Sequence, residues 1–188
     1  LRWIRDGLCR CPPSKPAPTI RAVQARRQPG SAFKIAVYAA ALESGFLPDD
    51  IMMDEPIAID GWQPRNYGGT YRGAVTLTTA IAHSSNSVAV QLSEAIGRET
   101  VIETARRLGI NTPLSAKPSL ALGAGEVTLL DLTGAYAVVP NEGRGVIPYG
   151  IEEIRGRDGE ILYRRAGSGP GRALSKQTAR ALDVMLET

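Results

Sequence analysis

Gln28-Pro29-Gly30-Ser31-Ala32-Phe33-Lys34 opens the stretch that decides the fold. Behind Pro29-Gly30, an apolar run of Phe33, Ile35, Val37, Tyr38, Ala41 and Leu42 leads to Gly45, which predicts a helix with Ser31 at its N-terminus and glycine just past its end. On such a helix, Ser31 and Lys34 stand three positions apart, with Cβ atoms about 5–6 Å from one another. That is within reach of proton transfer. A serine in the first turn also places free backbone N–H groups and the positive end of the helix dipole where an oxyanion would form. The hydroxyl can then act as a nucleophile if the lysine is neutral, which requires desolvation or a nearby cation, since an ordinary lysine titrates near 10.4.

Working outward, a polar, Pro- and Gly-rich loop is expected from Phe46 to Gly73. Thr76 then caps a helix through Ala82, a second helix runs from about Ser87 to Ile96, and a third runs from Glu99 to Leu108. Each of the latter two stops at a glycine, Gly97 and Gly109. Thr128, with Asp131 three residues on, resembles a capping box and opens a helix through Val139, which Pro140-Asn141-Glu142-Gly143 breaks. Ile151–Arg155 and Glu160–Arg164 flank Gly156-Arg157-Asp158-Gly159, the one convincing strand pair, since Asp-Gly supplies the positive φ of a tight hairpin. A last helix begins at Ser175, with Ala179, Leu182, Met185 and Leu186 on one face.

At 188 residues, 43% hydrophobic and 22% charged, the chain fits one globular domain and excludes collagen, coiled coil and wholesale disorder. The net charge of +3 is unevenly spread. Residues 1 to 34 hold eight Lys and Arg against the single acid Asp6, while the rest of the chain is mildly acidic. No aromatic residues interleave with the basic arm as stacking platforms, so a nucleic-acid partner is not expected. Leu1–Ile20, with its Pro-rich Cys11–Pro18, reads as a poorly ordered linker unrelated to the remainder of the chain. Cys9 and Cys11 with the lone His83 do not supply a four-coordinate zinc site, and no metal or other cofactor is expected. His83 is expected at a helix end, Trp62 and Tyr67 in ordinary loop packing, and Gly167–Gly171 as a flexible linker.

By itself S-x-x-K recurs about once by chance in a chain this long, and its plainer reading is a capping serine and a surface lysine. Ser84-Ser85-Asn86 changes the weighing. In a non-helical link between two helices, residues i and i+2 can point the same way, so that a hydroxyl and a carboxamide face Ser31 and Lys34.

The motifs together resemble the transpeptidase domain of class A penicillin-binding proteins. The likeness runs through Gln28–Lys34, Pro64-Arg65-Asn66-Tyr67, Gly73–Leu77, Ser84–Ser87, Pro118-Ser119-Leu120-Ala121-Leu122-Gly123 and Ala135-Tyr136-Ala137 to the Asp158-Gly159 hairpin. It covers residues 21 to 188, a partial transpeptidase domain after the basic segment 1 to 20. The resemblance implies an α+β fold of the transpeptidase and serine β-lactamase-like kind, represented by its mostly helical portion, with one hairpin near 151–164 and most of the central sheet missing.

In that family Ser31 would be the acylated nucleophile, Lys34 the base, Ser84 a relay to the leaving amine and Asn86 a hydrogen-bonding partner of the substrate amide. The substrates implied are D-Ala-D-Ala stem peptides of peptidoglycan, with β-lactams as mimics. The place of action implied is outside the cytoplasmic membrane, in a parent anchored by segments not in this chain. The third family motif is missing. Lys15, Lys34, Lys117 and Lys176 precede Pro16, Ile35, Pro118 and Gln177, so no Lys-Thr-Gly occurs, and the resemblance therefore implies a truncated and inactive chain. Two other readings stay open: a D,D-carboxypeptidase or serine β-lactamase that hands the acyl group to water, and a degenerate domain that binds without turnover.

Overall fold

In the computed structural model, residues 20–167 and 169–188 are described. Its centre is a helix that has almost no exposed side. Lys34–Glu43 (α2) follows a one-turn 3₁₀ helix, Gly30–Phe33, and everything from Phe33 to Ala41 is buried, polar Lys34 included. Four alanines among these residues allow neighbouring backbones to approach closely from all sides, and a helix apolar all round belongs in a core. Around it pack Asn86–Ile96 (α4), Arg98–Arg107 (α5) and Lys176–Leu186 (α7).

The outer elements are shorter. Arg21–Gln24 (α1) leads to Arg26–Arg27 (β1), which pairs antiparallel with Val127–Thr128 (β4) just before Leu129–Ala137 (α6). Ile51–Asp54 (β2) pairs antiparallel with Gly73–Thr76 (β3), which runs directly into Leu77–Ala82 (α3). Glu153–Arg155 (β5) and Ile161–Arg164 (β6) form a hairpin with an irregular register at Ile154/Arg155. The architecture is α+β and mostly helical, and its strands among the described residues form these three two-stranded ladders, beside isolated bridges at Ile59–Trp62 and Arg144–Arg172.

Helix starts at Thr76, Thr128 and Ser175 follow the sequence reading, and Ser85 caps a further helix that the sequence placed from about Ser87. The hydroxyls of Thr76, Ser85, Thr128 and Ser175 accept from the amides of Thr79, Val88, Asp131 and Thr178, each satisfying an N–H that the helix leaves free. His83 is at the C-terminal cap of α3, as expected.

Five expectations need correction. Ser31 does not cap α2: it is inside the preceding 3₁₀ turn, because Gly30 (φ +57°) turns the chain before the α-helix begins at Lys34. The loop expected from Phe46 to Gly73 contains β2, whose partner β3 lies 19 residues further on, so no local turn announces it. The hairpin is therefore one strand pair of three. Leu186 is 42% exposed, away from the buried Ala179, Leu182 and Met185 face. Gly167–Gly171 is no free linker, since the Gly145 N–H donates to Gly171 O (2.7 Å) and Arg172 bridges to Arg144. The expectations for Leu1–Thr19 and Ser168 lie outside the described residues.

Candidate active site

Lys34 begins α2 with its side chain buried, and its ammonium finds three oxygens. Nζ donates to Ser84 O (2.6 Å), Asn86 Oδ1 (2.7 Å) and Ser84 Oγ (2.9 Å). Among the described residues no carboxylate pairs with it. Burial without a counter-charge disfavours the ammonium and lowers the lysine pKa to about 8.

The link between α3 and α4 supplies all three oxygens. Ser84 takes a left-handed conformation (φ +52°), so the Ser85 N–H reaches back to Ala80 O and the chain reverses within one residue. Glycine is the usual occupant of such a position. Here a serine turns both its carbonyl and its hydroxyl onto one amine, a strained backbone of the kind found at functional sites. Asn86, at the start of α4, is held from both ends: Oδ1 accepts from Lys34, and Nδ2 donates to Arg65 O (2.7 Å), leaving one N–H of that amide for another acceptor.

Ser31 is exposed one turn before the buried lysine, and its side chain makes no hydrogen bond among the described residues. Its turn is clamped from two directions. The Tyr136 hydroxyl on α6 donates to Ala32 O (3.0 Å), and the Gly30 N–H donates to Gly123 O (3.4 Å). Gly123 (φ +70°) ends the 3₁₀ helix Pro118–Leu122, and a Cβ placed there would stand 2.2 Å from Gly30 O. Both the positive φ and the close approach require glycine at this position. Gly123→Ala is expected to lower stability by about 2–5 kcal/mol, the sum of a left-handed alanine and an overpacked contact. Denaturant unfolding checks this, and a loss below about 1 kcal/mol would show that the turn yields easily.

Of the residues singled out in the sequence, the fold gathers Lys34, Ser84 and Asn86 around one nitrogen, with Ser31 a turn away. Sequence reasoning did not identify Asp54 and Asn66, which lie beneath the link. The side chain of Asn66 accepts from the Asn86 N–H (2.8 Å) and donates to the buried Asp54 (2.7 Å). Asn66 belongs to the Pro64–Tyr67 motif, which by itself assigns it no role; Asp54, a lone acid ending a short apolar run, gives no signal in sequence. Trp62 packs partly buried against the core, while Tyr67 is wholly exposed. A cavity of about 450 Å³ opens beside Arg65, lined by Pro56, Gln63, Pro64 and Tyr71.

A family model for the penicillin binding protein transpeptidase domain matches residues 13–188. The chain belongs to the penicillin-binding protein transpeptidase family. Penicillin-binding protein 1A of Rickettsia felis is 40% identical over 151 residues, covering 77% of this chain and 19% of that protein. Penicillin-binding protein 1A of Pseudomonas aeruginosa is 39% identical over the same length. This transpeptidase chain spans about a fifth of the length of these relatives. Among solved structures, penicillin-binding protein 1A from Haemophilus influenzae superposes with a TM-score of 0.83 at 29% identity, over 89% of this chain and 30% of that one. The imipenem acyl-enzyme complex of penicillin-binding protein A from M. tuberculosis gives 0.81 at 26% identity, over 89% and 44%. The fold is therefore the mostly helical part of the penicillin-binding transpeptidase architecture. Among its described residues no helix is long and apolar enough to cross a membrane.

Proposed function

We propose that this chain carries the nucleophile and base of a peptidoglycan D,D-transpeptidase, with Ser31 acylated by a D-Ala-D-Ala stem peptide and Lys34 accepting its proton. The observation that supports this reading most is a lysine that is buried, unpaired and held on three neutral oxygens one turn from an exposed serine. In the acylation step the Ser31 oxygen bonds to the penultimate D-Ala carbonyl carbon. The C–N bond then breaks, and the serine proton leaves with the terminal D-Ala amine. Lys34 takes that proton, and Ser84 returns it.

The partners of Lys34 fit a relay. Ser84 O and Asn86 Oδ1 can only accept, so a neutral amine keeps two N–H groups on them. The Ser84 hydroxyl can also donate, and can turn its proton toward the lone pair. Asn86 has one N–H left for the substrate amide. An amine on a second stem then resolves the acyl-enzyme, splitting one difficult exchange into two easier ones. β-Lactams would acylate the same serine. The place of action follows the family, on the outer side of the cytoplasmic membrane, in proteins several times longer than this chain. Supplying a D-amino acid acceptor separates transfer from hydrolysis: transfer yields the mixed peptide, and a carboxypeptidase yields only the free acid.

The base reading fixes a pH dependence. Only neutral Lys34 accepts a proton, and its pKa is lowered to about 8. Acylation should therefore rise about tenfold per pH unit below 8 and level off above it. Slow acylation by a labelled penicillin, followed by intact mass between pH 6 and 9.5, tests this; a flat profile would remove Lys34 from the role.

A further inference from the structure

Asp54 ends β2 at 1% exposure and makes no ion pair among the described residues. A buried carboxylate without a cation is costly unless hydrogen bonds replace its hydration. Four donors do so here. Oδ1 accepts from Ser87 Oγ (2.6 Å), Asn66 Nδ2 (2.7 Å) and Ser85 Oγ (2.8 Å), and Oδ2 accepts from the Arg72 N–H (3.1 Å). Burial pushes its pKa up, but the bonds from Ser87, Asn66, Ser85 and Arg72 outweigh it, and the group titrates below the ordinary aspartate value. It is a fixed anion at neutral pH.

Its side-chain donors come from the link that holds Lys34 and from Asn66. The Asn66 carboxamide donates to Asp54 and Thr70 O, while its oxygen accepts the N–H groups of Asn86 (2.8 Å) and Ser87 (3.2 Å). Ser85 Oγ takes the next amide, Val88. The first three amides of α4 are thereby satisfied from outside the helix, and the residues between which Lys34 is held are fixed on both sides of Ser85.

We propose that Asp54 and Asn66 are the positioning pair of the lysine site: Asp54 anchors Asn66, Ser85 and Ser87, and through them keeps the oxygens of Ser84 and Asn86 closed over Lys34. Neither residue touches the amine. The inference gains its importance from Lys34 as the base but does not need Ser31 to be acylated.

A positioning role and a through-space charge effect move Lys34 in opposite directions. If the pair holds the link closed, releasing it admits water to the amine and raises the lysine pKa. If Asp54 acts only as a negative charge, neutralising it destabilises the ammonium and lowers that pKa, and Asn66→Ala, which changes no charge, does nothing. Other titratable groups around α2 are Tyr38 one turn on, Glu94 of α4 paired to Arg98, and Glu43 at the far end, tied to Arg107 of α5 and to the Ser175 N–H that opens α7. Neither variant touches Glu94 or Glu43; Tyr38, whose phenol is pushed up by burial and by the Asp54 charge, loses only the second influence in Asp54→Asn and stays neutral in both variants.

The chain has four lysines, Lys15, Lys34, Lys117 and Lys176, so ¹³Cε-labelled lysine gives a short NMR spectrum in which the Lys34 signal is the one lost in Lys34→Ala. The wild-type midpoint should be about 8. In both Asp54→Asn and Asn66→Ala it should rise by roughly one unit or more, toward the ordinary lysine value. Leu108→Ala, which weakens the core at the end of α5, should lower stability and leave the midpoint in place. A lower midpoint in Asp54→Asn, or an Asn66→Ala midpoint within about 0.2 of wild type, would overturn the proposal. If Asp54→Asn does not fold, Asn66→Ala decides alone. Because the readout is the titration of Lys34, a failure of Ser31 acylation leaves this result standing and is distinguishable from it.

Discussion

Replacing Lys34 by alanine should slow acylation of Ser31 about 10²–10⁴-fold, the usual contribution of a general base. The substitution removes an amine one turn from Ser31 that is partly unprotonated near pH 7. With a pKa of about 8, roughly a tenth of Lys34 is unprotonated at that pH, a workable fraction next to the negligible fraction of an exposed lysine. It also leaves Ser84 Oγ and the Asn86 side chain without their shared donor, so the link itself should loosen. Lys34→Arg should not restore the rate, because guanidinium stays charged at any pH the protein tolerates. Time courses of adduct mass for wild type, Lys34→Ala and Lys34→Arg make the comparison. A loss of less than about threefold in the alanine variant would mean that another group takes the proton.

The second large effect arises from a motif that is not in the sequence. With no Lys-Thr-Gly among the four lysines, the family resemblance implies that the strand supplying a second oxyanion donor is not among these 188 residues, while Ser31 keeps the N–H of its own turn. Loss of one such donor costs about 10²–10³ in rate. The absent lysine would also have favoured neutral Lys34 by like-charge repulsion. This chain should therefore acylate at least 10²–10³-fold more slowly than a chimera in which the Lys-Thr-Gly segment of a relative is joined after residue 188. Apolar surface at Val184, Leu186, Ile161 and Leu162 stands exposed, and added strands should bury part of it, raising the unfolding temperature as well. Equal labelling rates for the chain and the chimera would show the motif to be dispensable.

Legibility of the fold divided along local and non-local lines. Helix starts at Thr76, Thr128 and Ser175 were readable because a cap is a contact between residues three apart. The hairpin was readable because Asp158-Gly159 lies within it. β2 was not: four residues pair with Gly73–Thr76 across a long connection, and neither segment has the length or turn chemistry that marks a strand.

The site divides in the same way. Ser31 and Lys34 are neighbours on one turn, and the Ser84–Asn86 spacing hinted at convergence, so both motifs could be found in sequence. What lowers the Lys34 pKa is its burial, and what turns the Ser84 oxygens onto it is the left-handed conformation at Ser84, neither of which a spacing reveals. Asp54 was invisible for a sharper reason. A lone acid reads as surface, and only the approach of Ser85, Ser87 and Asn66 from distant parts of the chain makes it an interior anchor. Gly123 likewise shows its purpose only once Gly30 lies against it.

The central claim is that Ser31 is the nucleophile, and peptide mapping after long incubation with a β-lactam at millimolar concentration tests it most directly. Trypsin cuts after Arg27 and Lys34, so Ser31 is the only hydroxyl-bearing residue of the peptide Gln28–Lys34, while Ser84 falls in Gly73–Arg98. A single adduct is expected, on Gln28–Lys34, that disappears in Ser31→Ala. An adduct on Gly73–Arg98, or one that persists in Ser31→Ala, would contradict it.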